Sequence, residues 1–566
     1  MSLEPHPKGL HARVLLTSVF GPYAQDDEYG SRAINPVELY HNQVTRVQGP
    51  FSLRMFHRSW GLMMIQANIS APSTLLDFPS LGQFVQHIRE NEYDIIGISS
   101  IIPNVGKVRK MCALVREHQP HCTIVVGGHV ANLPDASKRF DADHIVRGEG
   151  ISWFRRFIGQ DEADVIEHPE ILSGFGTRTM GMKLSCAPEH TAATLIPSVG
   201  CPMGCNFCAT SAMFGGKGNF VNFYETGREL FEIMSRMEAN MGVKSFFVMD
   251  ENFLLHRKRA LELLELMRKH EKPWSLYVFS SGRIIRSYSM EELVGLGISW
   301  VWMGLEGEDS LYPKLRNIDT RDLVLTLHAN GIRVLGSTII GLETHTPENI
   351  DSAIDYAVAH ETDFHQFMLY TPVPGTPLYE EHQSMGTLLP GIDDADTHGQ
   401  FAFNFRHPHI SREDSGRFLL RAFERDYAVN GPSVMRIART LLQGWKRYGN
   451  HPEKRIRDRF RRESEALALG YGSALWAMEL YFQRSNPPLT EKIRRLQTDF
   501  VREFGLKTRL AGPIAGRAIY HLIRREERRL QRGWTYQPPM FIEKRNSERP
   551  HQTREARELE PLSQET

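Results

Sequence analysis

The chain has 566 residues, 41% of them hydrophobic, with 67 basic and 67 acidic side chains and therefore no formal net charge. That length exceeds one ordinary hydrophobic core and predicts about two to four domains, while the balanced charge excludes a global field for nucleic acid or an anionic membrane. No stretch reaches the roughly 18–20 uninterrupted apolar residues of a membrane span, and the opening Met1-Ser-Leu-Glu-Pro-His6 lacks the basic start and apolar run of a secretory leader, so a cytoplasmic location with reduced thiols is expected.

Residues 12 to about 160 alternate strand-like and helix-like segments. Ala12–Val19, Met63–Ile69, Tyr93–Ser99 and Cys122–Val126 are apolar runs of the kind a buried parallel sheet uses, and Leu81, Phe84, Val85 and Ile88 recur between two of them at helical spacing. The pattern predicts a doubly wound α/β domain whose ligand sits at the carboxyl ends of its strands. Those ends carry Ser99-Ser100, Gly127-Gly128-His129 and, after a further candidate strand, Arg147-Gly-Glu-Gly150. Small residues there let a bulky ligand approach the backbone, although a glycine serves a tight turn equally well. Cys112 and Cys122 lie in apolar segments and read as ordinary buried thiols, as does Cys186. Residues 161–192 have mixed charge, several glycines and no sustained period, and read as a linker.

A short apolar, β-branched run, Ala193–Val199, then leads into Cys201-Pro-Met-Gly-Cys205-Asn-Phe-Cys208, three of the six cysteines in one glycine-containing turn. Thiolates on a loop leaving a buried strand suit an iron–sulfur cluster or zinc. Structural zinc needs a fourth ligand, usually from a second Cys or His pair, and none follows at matching spacing; a disulfide is a weaker alternative. Strand, loop and helix then repeat to about residue 385, with candidate strands Lys244–Asp250, Trp274–Ser280, Trp300–Glu306, Val334–Ile340 and His365–Tyr370. This predicts a parallel α/β barrel or partial barrel. Polar residues cluster where the strands end: Asp250-Glu251-Asn252, Ser280-Ser281-Gly282-Arg283, Gly304 with Glu306, and Thr371–Pro377. In such barrels that end is the active face, although any single polar residue there could be a helix cap or turn former. Phe214-Gly-Gly-Lys-Gly218 lacks the spacing and the Ser/Thr of a phosphate-binding loop and reads as a flexible segment beside the cysteines.

From about residue 390 the alternation stops, and Arg436–Tyr448, Pro452–Glu465, Ala466–Phe482 and Ala511–Arg532 read as helices. Two stretches, Glu453–Arg462 and Arg524–Arg529, are arginine-rich, and Ala466–Phe482 is apolar nearly all round. The apolar helix is short for a span and by default buried; alternatively, with basic helices on either side, it lies on an anionic bilayer and brings a hydrophobic substrate to the barrel mouth. The polar end, residues 546–566, is expected to be disordered.

The Cys-x-x-x-Cys-x-x-Cys spacing, with an aromatic before the last cysteine, resembles the signature of the radical S-adenosylmethionine (SAM) superfamily, and residues 12–385 together resemble the subclass in which a cobalamin-binding domain precedes the radical domain. The resemblance implies a 4Fe-4S cluster on Cys201, Cys205 and Cys208, an open iron chelated by SAM, and reductive cleavage of SAM to a 5′-deoxyadenosyl radical. It also implies cobalamin against Ser99, Ser100, Gly127 and Gly128, and SAM contacts from Asp250, Glu251, Asn252, Arg283, Gly304 and Glu306, with Glu306 and Arg283 toward ribose and carboxylate. Many cobalamin domains place Asp-x-His-x-x-Gly after the first strand; here Phe20–Gly30 has no histidine, and His41 and His57 come too late to fit it. Either cobalt is bound without a protein imidazole or cobalamin is absent.

The domain layout implied is a doubly wound, Rossmann-like cobalamin domain (1–160), a linker (161–192), a partial (β/α)6 radical SAM barrel (193–388), a helical carboxyl-terminal domain (389–545) and a tail (546–566). The commonest chemistry of such a pairing is methylation of an unactivated carbon, and hopanoid C-methylases are one branch acting on a lipid. Cyclisation or carbon–carbon coupling on a lipid, tetrapyrrole or natural product is the enzymatic alternative, and a non-catalytic cobalamin or redox sensor is the alternative of another class. The expected partners are a small hydrophobic substrate and a reductant such as flavodoxin or ferredoxin, with peripheral membrane contact and no nucleic acid. A transfer-RNA methylthiolase would need a second three-cysteine set in the amino-terminal domain, which Cys112 and Cys122 cannot supply.

Overall fold

Runs of Val, Ile and Leu with few polar interruptions are buried on both faces of a sheet, and five of them build the amino-terminal domain. The computed structural model describes residues 3–21, 51, 53–54, 57–173, 178–179, 182–183, 187–305, 318–532 and 539–546. In chain order the first domain comprises β1 (Val14–Thr17), α1 (Trp60–Asn68), β2 (Ser73–Asp77), α2 (Leu81–Glu90), β3 (Ile95–Ser99), α3 (Val105–His118), β4 (Thr123–Gly127), β5 (His144–Ile145) and α4 (Gly150–Phe157). The parallel order β2-β1-β3-β4-β5 is that of a flavodoxin-like doubly wound sheet, with its switch point between β1 and β3. Helix α2 starts at a capping box, Ser80 and Gln83 each binding the other's backbone N–H.

Met63–Ile69, expected as a strand, is helix α1 instead, and the second strand is Ser73–Asp77. The run is apolar without being β-branched, and Leu, Met, Gln and Ala are good helix formers, so burial alone did not distinguish the two. The linker is pinned to this domain by the buried Arg155, whose guanidinium donates to the carbonyls of Asn68, Glu162, Asp164 and Val165.

The second sheet holds β6 (Ala192–Leu195), β7 (Ser245–Val248), β8 (Ser275–Phe279), β9 (Ile298–Gly304), β10 (Arg333–Ile340) and β11 (Phe364–Leu369), each paired in parallel with its sequence neighbours. Helices α6 (Gly227–Met241), α7 (Arg257–Lys269), α9 (Thr320–Ala329) and α10 (Ile350–Val358) are among its crossovers; α5 (Ala209–Met213) and α8 (Gly282–Arg286) are short turns above it. A six-stranded parallel sheet wound this way is a partial barrel whose carboxyl-terminal rim carries the loops.

Six helices follow: α11 (Arg412–Asn430), α12 (Ser433–Tyr448), α13 (Lys454–Glu463), α14 (Gly472–Phe482), α15 (Pro487–Phe504) and α16 (Leu506–Gln531). The arginine-rich stretch Glu453–Arg462 is α13, and it faces the barrel floor rather than a bilayer. Arg455 and Arg459 are buried and donate to the carbonyls of Gly295 and Val294 at 2.6 and 2.9 Å, and Arg462 reaches Pro273 O and Ser275 Oγ. Glu463 accepts from Arg333 at 2.9 Å and from Ser275 Oγ at 2.6 Å, which neutralises part of that charge. The apolar stretch Ala466–Phe482 is likewise mostly interior: a π-turn (Leu467–Tyr471) leads into α14, whose Ala474, Leu475, Ala477 and Met478 are buried in the same cluster as residues of α15 and α16. The bilayer-facing reading of that run is therefore corrected to the packed helix. Among the described residues no helix is long and apolar enough to cross a membrane.

The region after residue 389 is also not wholly helical. β12 (Phe541–Arg545) returns to the first domain and pairs antiparallel with β2, Phe541 opposite Asp77 and Arg545 opposite Ser73, covering that sheet edge. Residues 547–566, expected to be disordered, lie outside the described residues.

Candidate active site

The two sheets present their carboxyl-terminal ends to each other. Arg139 pairs with Asp394, the Leu378 N–H donates to Asn206 O at 3.0 Å, and Gly375 (φ +84°) lies so close to Asn132 that a Cβ would stand 2.8 Å from its carbonyl oxygen. The loop after β11 is thus wedged against both the cysteine turn and the turn following β4.

The cysteine turn leaves β6 through Ser198–Val199 and winds through two left-handed glycines, Gly200 (φ +86°) and Gly204 (φ +64°). A Cβ on Gly204 would lie 2.4 Å from Lys217 Cα, so only glycine fits there. Cys208 caps α5, its Sγ accepting from the Ser211 N–H at 3.4 Å, while Ser211 Oγ donates to Cys201 O at 2.7 Å. Phe214–Gly218, expected as flexible, is instead a packed buttress: Lys217 backs Gly204, and the Gly218 N–H donates to Pro202 O at 2.8 Å. All three cysteines are half-buried and free. Burial pushes the Cys201 thiol up to about 11 and raises Cys208, so the thiols ionise only when metal charge replaces their protons. No three His, Cys, Asp or Glu side chains among the described residues gather tightly enough for a single metal ion. Soft donors on one post-strand loop fit an iron–sulfur cluster. Cys112 and Cys122 are buried as expected, with burial pushing each thiol up to about 12, and Cys186 lies outside the described residues.

Of the triplet after β7, only Glu251 is available to a ligand. Asp250, 2% exposed, accepts from Ser198 Oγ at 2.8 Å and pairs with the equally buried Arg259 at 2.5 Å. Asn252 Oδ1 accepts from Ser280 Oγ at 2.8 Å, tying two strand ends together. Glu251 Oε2 is buried without a partner, and burial, with a contribution from the charge on Asp250, pushes its carboxyl up to about 8. A cation placed beside it would restore the carboxylate.

Ser99, Gly127, Gly128 and Glu251 line one cavity, together with Met213 and Phe214 of the cysteine segment. A Cβ on Gly127 would meet only Val146 O, at 3.8 Å, so this glycine leaves the cavity open. Gly128 is different: at φ +79° its Cβ would stand 2.6 Å from Ser100 O, a constraint of the turn itself. Ser100 is engaged in that turn, accepting from Asn104 Nδ2 at 3.0 Å. Arg283 is exposed on α8 and does not reach the cavity; Gly304 ends β9, with Ser337 beside it in the sheet. Glu306, His41 and residues 22–30 of the first-strand loop lie outside the described residues. His57 stacks on Phe247 of the barrel (5.4 Å), and burial pushes its imidazole down to about 4.

Sequence reasoning missed the segment Thr397–Asn404, whose Gly399 carbonyl accepts from the Leu369 N–H at the end of β11. Within it Gln400 is 1% exposed, yet neither Nε2 nor Oε1 has a partner, and Asn404 Oδ1 is also buried and unpaired. Asn206 Oδ1 in the cysteine turn and Asn104 Oδ1 in the turn after β3 are in the same state. Buried orphan amides mark where a polar ligand completes the hydrogen bonds. Gln400→Leu is accordingly expected to stabilise the ligand-free protein by about 1–3 kcal/mol, by removing an unpaid desolvation cost, while weakening ligand retention. Thermal unfolding beside retained SAM or cobalamin measures both; a destabilised variant would show that the amide is satisfied in the free protein.

A partial barrel with a three-cysteine loop on its active face, joined to a doubly wound domain whose strand ends share the same cavity, defines a two-cofactor radical enzyme. The chain matches the Radical SAM superfamily over residues 195–357 and the B12 binding domain over residues 59–158, and it is a radical SAM protein carrying a B12-binding domain. The first domain implies a 4Fe-4S cluster and SAM, the second cobalamin. Similar proteins include an uncharacterized methyltransferase, PH0819, of Pyrococcus horikoshii, 23% identical over 52% of this chain and 70% of its own length. The hopanoid C-2 methylase of Rhodopseudomonas palustris is 26% identical over 48% of this chain and 55% of its own. The anaerobic magnesium-protoporphyrin IX monomethyl ester cyclase of Cereibacter sphaeroides is 22% identical over 54% of this chain and 56% of its own. This chain thus spans little more than half the length of the last two.

Proposed function

We propose that this protein methylates an unactivated carbon of a hydrophobic substrate, a lipid or isoprenoid of the hopanoid kind, using SAM and cobalamin. The observation that carries the proposal is the shared cavity: Ser99 and Gly127 of the first domain and Glu251 of the barrel open on it beside the cysteine segment. Bound together, the cofactors would supply a radical to abstract hydrogen and a methyl group to replace it.

The chain's own part is placement. Cys201, Cys205 and Cys208 would hold the cluster, and the carboxylate of Glu251 would meet the cationic SAM. Asp250 and Asn252 are reassigned from ligand contact to holding Glu251's strand end, whereas Arg283, Gly304 and Glu306 are kept as SAM contacts on the neighbouring ends. Gly127 and Ser99 would admit the corrinoid, with Gly128 and Ser100 shaping the turn behind it. An aromatic wall, Phe279 stacked on Trp302 at 4.9 Å with Trp60 and Met249 partly exposed nearby, suits an apolar substrate and excludes water. A flavodoxin or ferredoxin would supply electrons, and a cytoplasmic enzyme touching the inner face of the membrane would reach a lipid.

The cyclase relative supports cyclisation or coupling as a second reading. Product analysis of an anaerobic reaction separates the two, because methyl transfer releases S-adenosylhomocysteine beside 5′-deoxyadenosine and cyclisation releases only the latter.

A further inference from the structure

With Glu453–Arg462 and Ala466–Phe482 turned inward, a different surface is left facing solvent. Leu506, Leu510 and Ile514, one helical turn apart on α16, are 69%, 64% and 76% exposed, and Leu469 is exposed on the adjoining π-turn, where Thr508 Oγ1 donates to Ala468 O. Single exposed leucines are ordinary, but five of the twelve large apolar side chains most exposed among the described residues lie on α16 and this turn. They are not the packing face of the helix, which is marked by Gly512 and Gly516 pressed against Trp476 and by the buried Thr508 and Ile523.

The charges are sorted in the same direction. Glu526 is buried, and Glu527 is half-buried and accepts from Tyr481 Oη at 2.7 Å, so both acids of the helix turn inward. Arg509, Arg517, Arg525 and Arg528 are exposed and have no carboxylate partner among the described residues. The outward face therefore presents leucines at its amino-terminal turns and arginines alongside and beyond them.

We infer that α16 is the surface by which this protein docks on an anionic lipid bilayer, Leu506, Leu510 and Ile514 entering the acyl boundary and the arginines resting among headgroups. The inference rests on the proposed use of a membrane-resident substrate. A second copy of the chain fits the face less well, because a two-fold contact would set arginines against arginines.

The test is co-sedimentation of the full-length holoenzyme with vesicles of phosphatidylcholine alone or mixed with phosphatidylglycerol, at low and high salt. Binding should need the anionic lipid and weaken with salt. Arg509→Gln, Arg517→Gln and Arg525→Gln together should weaken it on the order of a hundredfold. Leu506→Ser, Leu510→Ser and Ile514→Ser together should abolish it with iron content and unfolding temperature unchanged, since these side chains are largely exposed. Wild-type protein left in the supernatant with anionic vesicles, or a serine variant that binds as well as wild type, overturns the docking surface. So does a wild-type dimer that the serine variant renders monomeric, which would make the face a self-interface. Methylation of detergent-dispersed lipid without vesicle binding would refute docking and leave the substrate class standing; vesicle binding without methylation of any lipid would do the reverse.

Discussion

Replacing Cys201, Cys205 and Cys208 together by alanine abolishes the visible absorbance of the cluster and all cleavage of SAM, and leaves the barrel folded. The separation is expected because the turn is shaped mainly by bonds that survive the substitutions. Cys208 N–H to Cys205 O, Gly218 N–H to Pro202 O and Ser211 Oγ to Cys201 O all end on backbone atoms, and Gly200 and Gly204 are untouched. Only the 3.4 Å contact from Ser211 N–H to Cys208 Sγ is lost. Iron analysis with circular dichroism measures both halves of the result. Four irons per chain in the triple variant would place the cluster elsewhere.

The largest loss of stability from a single substitution is expected at Asp250. Its partner Arg259 is 2% exposed and also donates to Tyr224 O and Asn222 Oδ1, so it cannot swing into solvent when the carboxylate is removed. An uncompensated guanidinium in that position costs about 3–5 kcal/mol, which makes Asp250→Ala unfold many degrees below wild type. It should also weaken SAM binding, because Glu251 is carried on the strand end that the pair fixes. Adding Arg259→Leu should recover part of the stability, since the buried charge goes with its partner. A single variant as stable as wild type would mean that the pair is solvated or that its ends repack freely.

Legibility in the sequence followed what each residue had to satisfy. The barrel strands were readable to within about two residues, because a parallel strand buried on both faces must be a continuous apolar run bounded by polar turn residues, and Lys244–Asp250 or Val334–Ile340 has no other use. Met63–Ile69 failed for the same reason in reverse: a buried helix that is apolar all round gives the same composition, and periodicity is silent when no face is polar. The arginines of Glu453–Arg462 were read as a solvated basic surface, but arginine has five donors, and the carbonyls of Val294, Gly295 and Pro273 at the barrel floor had none in view from the sequence. β12 was invisible because Phe-Ile-Glu-Lys-Arg becomes a strand only through an edge supplied more than 450 residues earlier, by Ser73–Asp77.

At the site, the cysteines were legible through spacing alone, and the strand-end rule found Ser99, Gly127 and Glu251. What it could not do was divide the triplet Asp250-Glu251-Asn252 into one side chain free for a ligand and two already consumed by Arg259, Ser198 and Ser280. That division depends on partners from three other segments. Gln400 gave no signal, since a lone glutamine in a loop is unremarkable until its burial is known.

The central claim, that the cluster loop and the cobalamin domain act on one hydrophobic substrate at one cavity, is tested most directly by anaerobic incubation of the reconstituted protein with SAM, reductant, cobalamin and a total lipid extract, followed by mass spectrometry of the lipids and of the SAM-derived products. A lipid heavier by one methylene, accompanied by both S-adenosylhomocysteine and 5′-deoxyadenosine in equal amounts, is the predicted result. 5′-Deoxyadenosine without S-adenosylhomocysteine, and no lipid gaining mass, would contradict it.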